Sequence, residues 1–274
     1  MIAHIALGAG GLSIDLERPV ALAVPLEFAG AQPRHFGAPR ASAQPFEAPG
    51  FKGAVARGAS CNCEVITLIP HCNGTHTECV GHLTREPLDA HRVMPLGLLP
   101  ALLLSVTPEG ADAAGESSEP APVSGDRLIT RRALQRAWPA QPPFAPQALA
   151  IRTLPNDAAK RTRDYSAANP AYLSQEAAQL LVSRGILHLI VDLPSIDRTH
   201  DDGKLTAHRI FFGLARGAVA LASATRAAAT VTELAFMPDE LGDGSYLLQL
   251  QAAALGGDAV PSRPLLYRLQ ENAR

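Results

Sequence analysis

Twelve residues, His71 to His82, read His-Cys-Asn-Gly-Thr-His-Thr-Glu-Cys-Val-Gly-His and place three imidazoles and one carboxylate in a stretch too short for that density to be incidental. If the chain after Gly74 is extended, side chains alternate faces, so His76, Glu78, Val80 and His82 point the same way. A helix would instead set His76 about 200 degrees around the axis from Glu78. The extended reading uses more of the donors, and Gly74 permits the bend that returns His71 to the same point. Each histidine alone reads as an ordinary turn or surface residue; the set reads as a metal site.

Neutral imidazole and carboxylate suit zinc, manganese or iron, and neither is soft enough to require copper. Strand alternation sends Cys79 to the face opposite His76 and Glu78, where a small buried hydrophobe fits. A different grouping of Cys61, Cys63, Cys72 and His76 offers a structural zinc with a Cys-x-Cys spacing tighter than common fingers. A noncatalytic zinc-binding protein is thus a competing reading.

The run Pro70, His71, Gly74, Thr75, His76, Glu78, His82 resembles the His-x-Gly-Thr-His-x-Asp-x-Pro-x-His signature of the metal-dependent cyclase family, which includes bacterial arylformamidases and isatin hydrolase. Those members hydrolyse amides or lactams. Here one extra residue stands between His71 and Gly74, Glu78 replaces Asp, and Val80 replaces Pro. The first departure leaves both His71 and Cys72 open as the first ligand; the second keeps the charge and adds reach. Asp192-Leu193-Pro194-Ser195-Ile196-Asp197, followed by Thr206-Ala207-His208, resembles the family's Asp-x-Pro-Ser-x-Asp segment and its downstream histidine. Thr232-Glu233-Leu234 resembles the segment that supplies a late glutamate.

The resemblance implies metal ligands His71, His76, Glu78, His82, His208 and Glu233, holding one or two divalent ions, zinc or manganese foremost, with Glu78 bridging if there are two. His82 and Glu233 are also its catalytic candidates. It implies an α/β fold of the swivelling β/β/α type, a central mixed sheet flanked by helices, and a homodimer. Arylformamidases carry a Trp-Pro-Gly-Asp-like segment that does not follow Ile14-Asp15-Leu16 here, and the only tryptophan is Trp138. That points away from kynurenine formamidase activity toward a different small amide, lactam or ester.

At 274 residues with 47% hydrophobic content, the chain can bury a large core and reads as one domain, residues 1–274. A formal net charge of -2 gives no footprint for nucleic acid, and no basic run points to a membrane surface. Met1 to Gly11 has no Lys or Arg ahead of its apolar residues, which argues against a secretory signal. Val93 to Val106 is interrupted by Pro95, Gly97 and Pro100, falls short of a bilayer span, and reads as buried chain. Four cysteines make no disulfide framework in a chain this long, so reduced thiols and a cytoplasmic location are expected.

Phe28 to Gly58 is dense in Pro, Gly and Ala, with Phe36, Phe46 and Phe51 among them, and reads as a loop packing over a pocket as a lid. Glu64 to Ile69 is β-branched and apolar and reads as a strand delivering the motif. Pro108 to Val123 reads as an exposed connector. Thr130 caps a helix stopped at Trp138 by Pro139, and Ser174 caps a second, through Arg184, ended by Gly185. Strands at Ala148–Thr153 and Ile186–Asp192 flank that second helix and should be parallel. Further strands are expected at Val231–Phe236 and Tyr246–Ala253.

A divalent ion lowers the pKa of its water from about 15.7 to about 7, which makes hydroxide available to attack a carbonyl. His82 suits either ligation or general-base work. Thr75 can orient a ligand or the water, though strand propensity alone also explains it. Asp192, Ser195 and Asp197 can fix imidazole tautomers from outside or simply cap their loop. The expected chemistry is metal-dependent hydrolysis of a small-molecule amide, lactam or ester; the alternative in the same site is a metal-dependent lyase or cyclase.

Overall fold

The structure, a computed structural model, describes residues 1–7 and 10–271. Its main sheet contains β1 (Val20–Ala21), β2 (His76–Cys79), β3 (Leu98–Val106), β4 (Ala148–Thr153), β5 (His188–Val191), β6 (Thr230–Glu233), β7 (Gly244–Ala252) and β8 (Ala259–Arg268). They lie in the order β7-β3-β4-β5-β6-β2-β8-β1, and β7 also pairs with β8. That last pairing closes seven strands into a barrel-like ring with β1 appended. Strands β3, β4, β5 and β6 are mutually parallel. Strand β2 runs antiparallel to both β6 and β8, as β7 does to β3 and β8.

The central strands read as unbroken apolar runs because both of their faces are covered. Leu102, Leu104, Leu149, Ile151, Leu189, Val191 and Val231 pack under α1 (Arg131–Ala137), α2 (Gln175–Ser183) and α3 (Thr206–Phe212), which contribute Leu134, Ala177, Leu181, Phe211 and Phe212. The alternate residues, Ala101, Leu103, Ala148, Ala150, Ile190, Leu248 and Val260, form a second core inside the ring, where small side chains suit the narrow interior. Thr77 Oγ1 also lies inside, 2.7 Å from Thr232 Oγ1 and 2.8 Å from Ser262 Oγ.

The expected helices form with their expected caps. The Thr130 hydroxyl accepts from Ala133 N at 3.0 Å, and that of Ser174 accepts from Ala177 N at 2.9 Å. Gly185 takes φ 74 just past α2, a left-handed conformation that glycine adopts without penalty. The mixed sheet flanked by helices matches expectation, as does the parallel β4–β5 pair. Among the described residues, no helix is long and apolar enough to cross a membrane.

Two expectations are corrected. The segment after Gly58 does form a strand, Glu64–Thr67, but it pairs with Ser42–Pro45 in a separate ribbon and all four residues are exposed. Its β-branched side chains found a partner strand rather than a core. Phe46 and Phe51 lie on the same arm, with ring centroids 6.2 Å apart, so of the three loop aromatics only Phe36 reaches the cavity described below.

Asp192 is likewise committed to the sheet rather than to an imidazole. Its carboxylate accepts from Lys160 Nζ at 2.7 Å, Thr153 N at 2.9 Å and Thr153 Oγ1 at 2.9 Å, and both members of the ion pair are buried. Removing one partner strands the other charge. Asp192→Ala is expected to cost about 3–5 kcal/mol of stability in urea unfolding. A loss in the range of a surface pair, under about 1 kcal/mol, would show that the pair does not pin β4 to β5.

Candidate metal centre

Strands β2 and β6 are antiparallel neighbours in which Glu233 lies directly opposite His76. Residues opposite one another share a face, and so do residues two apart, which puts His76, Glu78 and Glu233 together on the helix-facing side. This is the carboxyl end of the parallel strands, where α/β sheets place their ligands. Helix α3 supplies His208. Asp197, in the loop after β5, accepts from Ala207 N at 2.7 Å and His208 N at 3.1 Å, capping that helix from a distance. Its Oδ2 also accepts from His208 Nδ1 at 2.7 Å.

Gly74 takes φ 80 and turns His71 back toward β2. His71 Nδ1 lies 2.9 Å from Glu78 Oε2, while its Nε2 donates to Asp258 Oδ2 at 2.8 Å. His76 Nδ1 donates to the Gly74 carbonyl at 3.1 Å, and its Nε2 lies 3.5 Å from Glu233 Oε2. His208 Nε2 lies 2.7 Å from Glu78 Oε1 and 3.5 Å from Glu233 Oε1. Each imidazole therefore anchors one nitrogen on an outer acceptor and turns the other toward the two carboxylates. This is the arrangement that fixes tautomer and ring orientation around metal ions.

The residues fit a cation by a test internal to the structure. His76 Nε2, Glu78 Oε1 and His208 Nε2 are buried without a hydrogen bond, the 2.7 Å approach of the last two being wrongly angled for one. Such orphaned groups each cost on the order of 1–3 kcal/mol, and a divalent ion would satisfy all three. His71, His76 and Glu78 bring one donor atom each within 4.8 Å of one another, and so do Glu78, His208 and Glu233. Glu78 belongs to both sets and can bridge two ions.

His82 departs from its expected placement. The strand ends at Cys79, and Val80–Leu83 turns as a short 3-10 helix, so His82 does not share the face of His76 through alternation. It joins neither of those donor sets. Instead its Nδ1 lies 3.2 Å from Asp258 Oδ2, the oxygen that also accepts from His71. Those three residues form a further close group. Asp258 was not legible in the sequence, where it stands in no recognised motif.

Cys72 is buried and joins none of the donor groups; burial and the Glu233 charge push its thiol pKa up. Cys61 and Cys63 are exposed on the arm and join no donor group with His76, which removes the structural zinc reading. Thr75 Oγ1 donates to the Leu234 carbonyl at 2.6 Å and accepts from Val24 N at 2.9 Å, so it ties loops together rather than orienting a ligand. Ser195 Oγ accepts from Asp197 N at 3.1 Å, a turn contact.

Burial opposes a charged His71, but its hydrogen bonds to Asp258 and Glu78 prevail and raise its pKa to about 10. Burial likewise opposes charge on His208, and Glu78 with Asp197 and Glu233 overcomes it to push the pKa well up. Glu78 is held well below the carboxylate range, the imidazoles outweighing its burial. Without a metal, protons occupy the place of the cation. A cavity of about 500 Å³ opens onto this cluster, lined by His71, Glu78, His82, His208 and Glu233 together with Phe36, Pro194, Ser195, the stretch Thr199 to Gly203, and Leu205.

The family model described as Cyclase, putative cyclase, matches residues 12–198. No curated protein matches the chain significantly in sequence. Among solved structures, isatin hydrolase A from Labrenzia aggregata is similar at a TM-score of 0.59 and 16% identity, covering 91% of this chain and 93% of that one. A potential metal-dependent hydrolase with cyclase activity gives 0.59 and 16%, covering 91% and 97%. A predicted metal-dependent hydrolase from Bacillus stearothermophilus gives 0.56 and 14%, covering 91% and 98%. At these identities the likeness establishes the shared fold.

Two outcomes follow from this geometry. Because ligation needs the inward nitrogens of His71 and His208 deprotonated, metal uptake by metal-free protein at pH 7 should release about two protons, fewer as the pH rises toward 10. Calorimetry in buffers of different ionisation enthalpy reads this, and heats independent of buffer would contradict it. Asp258→Asn, which loosens the hold on His71, should weaken zinc or manganese affinity about 10- to 100-fold in a chelator competition. Unchanged affinity would make Asp258 a bystander.

Proposed function

The chain belongs to the cyclase family, and from that premise and the donor geometry we propose that it is a metal-dependent hydrolase of a small amide, lactam or ester. The observation that carries the reading is the convergence of three inward imidazole nitrogens on two buried carboxylates, with three of those atoms lacking any hydrogen bond. His71, His76 and Glu78 would hold one divalent ion; Glu78, His208 and Glu233 would hold a second where two are bound. The all-nitrogen and oxygen donor set, with no thiolate, favours zinc or manganese. Such an ion supplies Lewis-acid chemistry, acidifying water and polarising a carbonyl.

The protein's own groups account for the rest of the reaction. His82 lines the cavity and stands outside both Glu78-containing donor sets; its own close group with His71 and Asp258 could hold an ion only at the expense of the Asp258 contacts, so we assign it proton transfer. Asp258 holds its Nδ1, which leaves Nε2 for the substrate side. Carboxylate orientation of an imidazole in this way selects the tautomer whose free nitrogen accepts a proton. His82 takes a proton from the attacking water and returns it to the leaving nitrogen or oxygen. Glu233 is steadied by Ile196 N, which donates to its Oε1 at 2.8 Å, and takes a proton only where a single ion is bound. The isatin hydrolase neighbours support a lactam or amide as substrate.

His76→Ala and Glu78→Ala are expected to lose most bound metal without unfolding, as elemental analysis and circular dichroism would show. His82→Ala should keep its metal and lose about 10²- to 10⁴-fold in turnover of whichever formamide, lactam or ester the wild type hydrolyses. Hydrolysis in labelled water must place one labelled oxygen in the product. A product free of label would replace hydrolysis by a lyase or cyclase reaction, and full metal content in either ligand variant would overturn the centre itself.

A further inference from the structure

Beyond the donors, the cavity is shaped by the loop after Asp197, and this loop bears on which substrates the site admits. Asp201 organises it: Oδ1 accepts from Gly203 N at 2.9 Å, and Oδ2 accepts from Leu205 N at 2.6 Å. Both acceptor oxygens are thereby spent on backbone. The resulting turn holds Asp202 at φ 55 and Leu205 at φ 47, left-handed conformations that aspartate tolerates and leucine resists. Such conformations persist where surrounding contacts over-determine them, commonly beside a ligand site.

Asp202 lines the cavity as an exposed side chain and, among the described residues, makes no hydrogen bond or ion pair, so its charge faces only the cavity and solvent. Among the described residues, no lysine or arginine lines the cavity. Of the loop's own cations, Arg198 pairs with Asp126 at 3.3 Å and Lys204 lines a separate groove with Arg209 and Arg216. Thr199 Oγ1, also lining the cavity, is a buried hydroxyl oxygen with no partner. The other carboxylates are accounted for, since Glu78 and Glu233 face the imidazoles and the proposed cation, and Asp258 faces His71 and His82. One carboxylate, the His200 imidazole and one neutral hydroxyl are left to meet the part of a substrate that does not react, and only the carboxylate carries negative charge.

We infer that the cavity selects amides, lactams or esters whose non-reacting end carries an ammonium group, paired by Asp202 and steered past the Thr199 hydroxyl, and that it disfavours carboxylated ones. This rests on the hydrolase reading and adds the charge class of the substrate to it. The pairing is partly solvated, so the discrimination is modest and sensitive to salt.

The test uses the metal-loaded full chain and three ring formamides of matched size: 4-methylformanilide, 4-(aminomethyl)formanilide and 4-carboxyformanilide. Calorimetric binding and turnover are both measured, at low and high salt. The aminomethyl compound should bind about tenfold tighter than the carboxylate, through KM rather than kcat, with the gap narrowing in high salt. Asp202→Asn should bring all three within about twofold, and Asp202→Lys should invert the order; the neutral 4-methyl compound should be indifferent to both. Equal binding of the charged pair by the wild type, or a preference that survives in Asp202→Asn, overturns the inference. Failure to hydrolyse the 4-methyl compound bears instead on the hydrolase reading, because the binding order is read without turnover.

Discussion

The structure turns on the burial of two like charges. Glu78 and Glu233 are 1% and 3% exposed on neighbouring strands, largely withdrawn from solvent. Isolated buried carboxylates neutralise themselves by taking up protons. These two are instead surrounded by imidazoles that are themselves fixed from outside, by the Gly74 carbonyl, Asp197 and Asp258. The arrangement places excess negative charge at the centre and second acceptors at the rim. Its counterpart is a cation, and the closed sheet, the β2–β6 register and the start of α3 are what bring the donors into range.

The local half of this was readable from the chain. Period-two alternation identifies His76 and Glu78 as partners because β2 is a strand, four residues long, where the pattern requires one. Alternation fails at His82 because the strand stops at Cys79; Val80, standing where the family has proline, is fully buried in the helix-side core instead. His208 and Glu233 were found only through resemblance, since nothing local relates them to β2. Asp258 carried no signal at all: it meets His71 and His82 only once β8 is laid beside β2.

The same division governs the fold. Caps and glycine stops mark α1 and α2 because those signals act within a few residues. Closure of the ring depends on β7 pairing with β3 and β8 at once, a long-range outcome that propensity does not encode. The ribbon of Glu64–Thr67 with Ser42–Pro45 shows the converse, strand character without burial: Val65 and Ile66 are about half exposed. β-propensity reports fitness for a pleated surface and leaves the identity of the neighbour open.

The two departures from the family signature at the ligands compensate within the geometry. The extra residue after His71 is absorbed by a turn in which Cys72 N and Asn73 N both donate to the Ile69 carbonyl at 2.9 Å, and Asn73 Oδ1 accepts from Ile69 N at 2.8 Å. That turn lets His71, rather than Cys72, reach Glu78. The added methylene of Glu78 then carries its carboxylate far enough to set one oxygen 2.9 Å from His71 Nδ1 and the other 2.7 Å from His208 Nε2. A carboxylate that spans two donor sets in this way links the short motif to the distant helix. Shortening it to aspartate would return the family's residue type while withdrawing that reach, so the insertion and the longer acid belong to one solution of the same spatial problem.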